Sequence, residues 1–67
     1  MIEAPTAYVA HFTDGSSDTV RRVTNSGAFF TGLACRGDGK ERVLFFDIFG
    51  VLEQADPWLA KPLEVIR

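Results

Sequence analysis

Residues 29–53, FFTGLACRGDGKERVLFFDIFGVLE, constrain the fold more than any other part of the chain. Two apolar runs flank a Gly-Asp-Gly-Lys tip. An Asp-Gly pair between such runs is the strongest short-range hairpin signal, because glycine supplies the positive φ that a twist-compatible turn demands. A turn centred on Asp38 and Gly39 predicts a register with Arg36 opposite Glu41, Cys35 opposite Arg42, Leu33 opposite Leu44 and Thr31 opposite Phe46. Leu33, Leu44, Phe46 and Phe29 then share one face, and Ala34, Val43 and Phe45 share the other. Both faces are apolar, whereas a hairpin with one wet face alternates cleanly. The second face therefore requires a cover, from the C-terminal tail, a second copy of the chain or a partner.

The remaining segments read as further short strands. Across residues 7–13, Tyr8, Ala10 and Phe12 fall on one face, and His11 and Thr13 on the other. Asp14-Gly15-Ser16-Ser17 is a turn cluster, and residues 18–24 (DTVRRVT) form a β-branched strand ending at the Asn25-Ser26-Gly27 turn. Residues 29–35 and 41–46 supply the two hairpin strands. Asp47 and Gly50 then mark a bend or bulge before a short strand at 51–53. Asp56-Pro57 reads as a helix start, and Pro62 limits that helix to about one turn. Trp58 and Leu59 are expected to pack back on the sheet, with residues 63–66 as a final strand or extended tail. Residues 1–6, containing Pro5, read as a leader. The expectation is an all-β domain: a small, strongly bent barrel of four to five antiparallel strands, Sm-like, with a short helical turn near the C-terminus.

Composition narrows the function. A chain of 67 residues is a single domain near the lower size limit for unaided folding. Its single cysteine forms no internal disulfide and completes no paired Cys/His zinc motif. Stability must come from a core rich in Phe12, Phe29, Phe30, Phe45, Phe46, Phe49, Tyr8 and Trp58. Each buried ring contributes roughly 1.5–3 kcal/mol. No apolar run approaches the ~20 residues of a membrane span. The first residues lack the basic-then-apolar order of a signal peptide, so a reducing, cytoplasmic setting is expected. A formal charge of −2 and a pI of about 5.1 disfavour a broad grip on nucleic acid.

Within this frame the chain resembles the WYL domain, a small-barrel module of bacterial transcription regulators and phage-defence proteins. The resemblance covers residues 8–53. It rests on a strand with a turn (FTDGSSDTVRRV), an aromatic strand Phe29-Phe30-Thr31 leading to Cys35, and the RGDGK tip. Arg42 and the Asp-centred run Leu44-Phe45-Phe46-Asp47-Ile48-Phe49 complete it. It implies a small barrel, and a site for nucleic acid or a nucleotide-like ligand built on basic residues. Phe29-Phe30-Thr31 stands where the family has Trp-Tyr-Leu. Phe45 and Ile48 occupy two positions that are arginine in the family, so Arg42 is left alone on its strand.

Three constellations are candidates for function. Arg42 with one of Arg21 or Arg22, near aromatic rings and Asp47, forms the ligand-binding candidate; a guanidinium beside a ring holds phosphate or stacks a base. The alternative is solvated strand edges, with Asp47 serving as a turn residue that accepts backbone N–H bonds. His11, Cys35 and Asp47 offer neither a supported nucleophile nor a metal set, so no catalytic residue, metal or cofactor is expected. Phe30, Phe45, Phe49 and Trp58 form the third constellation, a self-association seam or partner surface if they gather on one exposed face. The leading expectation is a non-enzymatic binding or regulatory module acting through protein contacts, as a homo-oligomer or with a protein partner. A WYL-like sensor is the alternative.

Overall fold

The computed structural model describes residues 7–67, so the expected leader lies outside the described residues. Six strands follow in order: β1 (Ala7–His11), β2 (Ser17–Thr19), β3 (Arg21–Asn25), β4 (Phe30–Cys35), β5 (Glu41–Phe46) and β6 (Glu64–Ile66). They form two three-stranded antiparallel sheets, β2-β1-β6 and β3-β4-β5. The chain is all-β, as its turn-punctuated apolar pattern predicts.

Three parts of the expectation need correction. The barrel is not closed, because the strands divide into two sheets. The expected strand 18–24 is split at buried Val20, whose N–H donates to the Tyr8 carbonyl at 2.8 Å, and there the chain passes from one sheet to the other. The far edge of β5 is taken up locally: Asp47 N–H donates to Val51 O at 2.9 Å and Glu53 N–H to Phe45 O at 2.7 Å. That fold-back replaces the strand expected at 51–53 with a single bridge between Phe46 and Leu52.

The second correction concerns the helical turn, since the described residues contain no helix. Asp56 O accepts the Leu59 N–H at 3.2 Å and Asp56 Oδ1 accepts the Trp58 N–H at 2.9 Å, which makes an isolated turn. Helix growth stops because the extension of β1 recruits the next backbone groups. Thr13 N–H donates to Trp58 O and Ala60 N–H to His11 O, each at 2.8 Å, while Leu59 bridges Phe12.

The hairpin is offset by one residue from the predicted register. Cys35 faces Glu41, Ala34 faces Arg42, Leu33 faces Val43, Gly32 faces Leu44 and Thr31 faces Phe45. The connection is a three-residue loop, Gly37-Asp38-Gly39, with Gly39 N–H on Arg36 O and Arg36 N–H on Lys40 O, both at 2.9 Å. Gly39 takes φ 85°, the left-handed residue that follows a type I turn in a bulged hairpin loop. An Asp-Gly pair fits both loop lengths, so the turn signal alone does not choose between them. The offset exchanges partners across faces. Gly32 and Ala34 now oppose Leu44 and Arg42 on the inner face, and Leu33 joins Val43 and Phe45 outside.

The core follows from that exchange. Tyr8, Ala10 and Phe12, alternate residues of β1, are buried against Val20, Ala34, Leu44, Phe46 and Leu63. Small residues on β4 leave room for rings: Tyr8 meets Phe46 edge-on at 4.8 Å and Phe30 at 6.5 Å. The Tyr8 hydroxyl donates to Ile48 O at 3.1 Å, and burial pushes its phenol pKa up.

Candidate functional site

The face of β3-β4-β5 turned away from the core carries several apolar side chains. Opposed residues of an antiparallel pair share a face. The register therefore sets Arg21, Leu33 and Val43 in one row and Thr24, Thr31 and Phe45 in the next. Phe29 stacks edge-on against Phe45 at 5.7 Å. Phe29, Leu33 and Phe45 remain half-buried, and Val43 is 56% exposed. The only charge in these rows is Arg21, whose Nη1 lies 3.0 Å from Asp18 and Nη2 3.1 Å from Glu41. Those carboxylates, Asp18 foremost, raise the Arg21 pKa further.

Of the four residues expected at an interface, Phe45 alone lies in these rows. Phe30 points inward, 6.0 Å from the Phe46 ring. Phe49 sits on the turn after β5 and is 63% exposed. Trp58 packs under the hairpin tip, with the Arg36 guanidinium 3.7 Å and the Arg42 guanidinium 4.5 Å from its ring centroid. Phe29, absent from the expected set, joins the face because the one-residue offset aligns it with Phe45.

The arginine candidates are not brought together around one opening. Arg42 donates from Nε at 3.2 Å and from Nη2 at 3.0 Å to Asp56 Oδ2, a carboxylate whose side chain is only 9% exposed. Arg21 is held by Asp18 and Glu41 on the opposite face. Arg22 is exposed at φ 54°, beside the irregularity that shifts the β3–β4 register, and Thr24 Oγ1 donates to its carbonyl at 3.2 Å. The arginine that joins Arg42 is Arg36, both guanidinium groups lying over the Trp58 ring. Asp56 was visible in the sequence only as a cap.

Asp47 occupies the bend and acts on backbone. Its Oδ1 accepts the Phe49 N–H at 2.8 Å and the Val51 N–H at 3.0 Å, and its carbonyl accepts the Gly50 N–H at 3.0 Å. His11 Nε2 and Glu64 Oε1 are 2.8 Å apart across β1 and β6. Cys35 is a free, half-buried thiol whose backbone N–H donates to Asp18 at 2.7 Å. Among the described residues, no group of His, Cys, Asp and Glu is arranged to hold a metal ion, and no helix is long and apolar enough to cross a membrane.

The two turns at the hairpin end are tied to each other. Ser16 Oγ donates to Asp14 Oδ1 and accepts the Gly37 N–H at 2.9 Å, and Ser16 N–H also reaches Asp14 Oδ1 at 2.8 Å. The hydroxyl of Ser16, then its N–H, holds the Asp14 carboxyl below its ordinary pKa. Comparison of the chain with protein-family models, curated proteins and solved structures finds no match, so the functional argument stands on this geometry.

Proposed function

We propose that this chain is a non-enzymatic binding module that acts through protein contacts and associates with a second copy of itself. The observation that carries the reading is the outer face of β3-β4-β5, where Val43 is 56% exposed and Leu33, Phe45 and Phe29 are only half-buried. The face has no uncompensated charge to select an ionic partner, because Arg21 is neutralised by Asp18 and Glu41. Two such faces meet about a two-fold axis without like-charge repulsion, and pack as sheets do, about 10 Å apart. Three strands about 4.8 Å apart and about five residues long cover roughly 240 Å². That is well below the ~800 Å² per partner of a tight complex. The association is therefore weak, with a dissociation constant on the order of micromolar or above.

The resemblance to WYL domains supports the alternative, a sensor of nucleic acid or nucleotides in a bacterial cytoplasmic regulator. The pairing of Arg21 and Arg42 with carboxylates ranks it second, because an incoming phosphate must displace Glu41 or the nearly buried Asp56. Light scattering over a concentration series tests the first reading, using wild type and Phe45→Glu. A wild-type dimer that becomes a folded monomer on substitution supports it. A wild type that stays monomeric at millimolar concentration overturns it.

A further inference from the structure

The chain carries two Asp-Gly pairs, Asp14-Gly15 and Asp38-Gly39, each in a turn between strands. An Asp-Gly step is chemically reactive, because glycine places no side chain beside the backbone nitrogen that attacks the neighbouring carboxyl. Locally the two pairs are alike. Each carboxylate Oδ1 accepts the N–H two residues on, from Ser16 at 2.8 Å and from Lys40 at 3.0 Å. Each glycine N–H donates to the carbonyl three residues back, Gly15 to Phe12 at 3.1 Å and Gly39 to Arg36 at 2.9 Å. Their surroundings differ. Asp14 Oδ1 also accepts the Ser16 hydroxyl, which itself accepts the Gly37 N–H at 2.9 Å, and Asp14 Oδ2 lies 3.8 Å from Arg36 Nε. The backbone before it is clamped as well, Phe12 N–H to Ser16 O and Thr13 N–H to Trp58 O, each at 2.8 Å. Asp38 and Gly39 take their bonds only from Arg36 and Lys40 of the same loop. The Asp38 side chain is 41% exposed against 31% for Asp14, and residues 37–41 are all exposed. A loop tip of this kind opens locally at low cost.

We propose that Asp38-Gly39 is a site of spontaneous isomerisation in the folded chain, that Asp14-Gly15 is protected from it, and that conversion at Asp38 releases Arg36 from Trp58. The Gly39 nitrogen attacks Asp38 Cγ; its proton and one carboxyl oxygen leave as water, and a succinimide ring closes. Water then opens the ring at either carbonyl. Opening at Cγ restores aspartate, whereas opening at the main-chain carbonyl leaves the chain running through Cγ as isoaspartate. No other reactant is needed. Ring closure expels an oxygen of the protonated acid, so the donors that keep Asp14 ionised oppose it.

Isoaspartate adds one carbon to the backbone of a three-residue loop. The bonds that close the loop, Gly39 N–H to Arg36 O and Arg36 N–H to Lys40 O, depend on its present length. Both hold Arg36, whose guanidinium lies 3.7 Å from the Trp58 ring centroid. Loss of that closure frees the guanidinium and uncovers the ring. The loop lies outside the rows of Leu33, Val43 and Phe45, so the proposal does not rest on self-association.

The test is prolonged incubation of the full chain in mildly acidic buffer at physiological temperature, folded and in urea. Peptide mapping with electron-transfer fragmentation then locates isoaspartate. In urea the two sites are expected to convert at similar rates. In the folded chain Asp38 is expected to convert roughly five- to tenfold faster than Asp14, the worth of about one extra hydrogen bond. Ser16→Ala brings the two rates together, and the isoaspartyl form, isolated by chromatography, shows altered Trp58 emission. A folded chain that converts Asp14 as fast as Asp38, or one that converts neither site while the chain in urea converts both, would overturn the proposal. An isoaspartyl-38 form with unchanged Trp58 emission would overturn the release of Arg36.

Discussion

Gly39 and Gly50 adopt nearly the same backbone, φ 85° and 81°, yet carry different burdens. A Cβ at Gly39 meets nothing within 4 Å, whereas at Gly50 it comes 2.5 Å from the Leu63 carbonyl oxygen. Gly39→Ala is expected to cost the left-handed strain alone, about 1–2 kcal/mol. Gly50→Ala adds a backbone clash, for roughly 2–4 kcal/mol in all. A chain of this length has a total stability of roughly 3–10 kcal/mol, so the second variant falls near the unfolding threshold; urea titration of both separates the two terms. Asp14 supplies a second prediction at this scale. Its pKa is lowered on folding, so its contribution is present above the ordinary carboxylate value of 3.8 and is lost as pH falls through the lower folded value. Ser16→Ala removes the largest cause, and the Asp14 titration followed by NMR moves up towards that ordinary value.

At the scale of elements, Asp56 and Trp58 help tie the segment between β5 and β6 to the hairpin. Asp56 accepts two bonds from Arg42 and one from the Trp58 N–H, while Arg36 and Arg42 both lie against the Trp58 ring. Asp56→Ala removes the acceptor and leaves Arg42 without its carboxylate, at a cost of about 2–3 kcal/mol. Asp56→Asn keeps the bond to Trp58 N–H and loses the charge, for about 1 kcal/mol. Chemical unfolding followed by tryptophan fluorescence reads both, since Trp58 is the chain's single tryptophan. Much of this element was legible in the sequence. Asp56 was recognised as a cap and Trp58 as packing back on the sheet. Its failure to become a helix was not legible, because the competing partners, Thr13 N–H and His11 O, lie at the end of β1, more than forty positions away.

For the whole molecule, small size and an uncovered apolar face lead to one expectation. A domain of this length buries only about 60% of the surface of its unfolded chain, so a second copy bound on the outer face, as proposed, would add stability through mass action. The wild-type Tm is expected to rise with protein concentration, and that of Phe45→Glu is expected to stay constant; scanning calorimetry over a concentration series reads the difference. The wild-type effect should change little between low and moderate salt, because the rows of this face contain no unpaired charge. A steep loss with salt would instead favour phosphate recognition by the arginines.

The local pattern of the chain determined its class. Period-two alternation placed Tyr8, Ala10 and Phe12 on one buried face, β5 runs over residues 41–46 as read, and the Asp47–Gly50 bend lies where the apolar run breaks. Those features depend on neighbouring residues and on a turn's demand for glycine. The hairpin register, the separation into two sheets and the pairing of Arg42 with Asp56 were decided only in three dimensions. Each depends on which distant backbone or carboxylate occupies a donor or an open edge. An Asp-Gly tip permits two loop lengths, and the choice falls to the one that buries Ala34 and sets Gly32 against Val20 and the Phe46 ring, where a Cβ would clash.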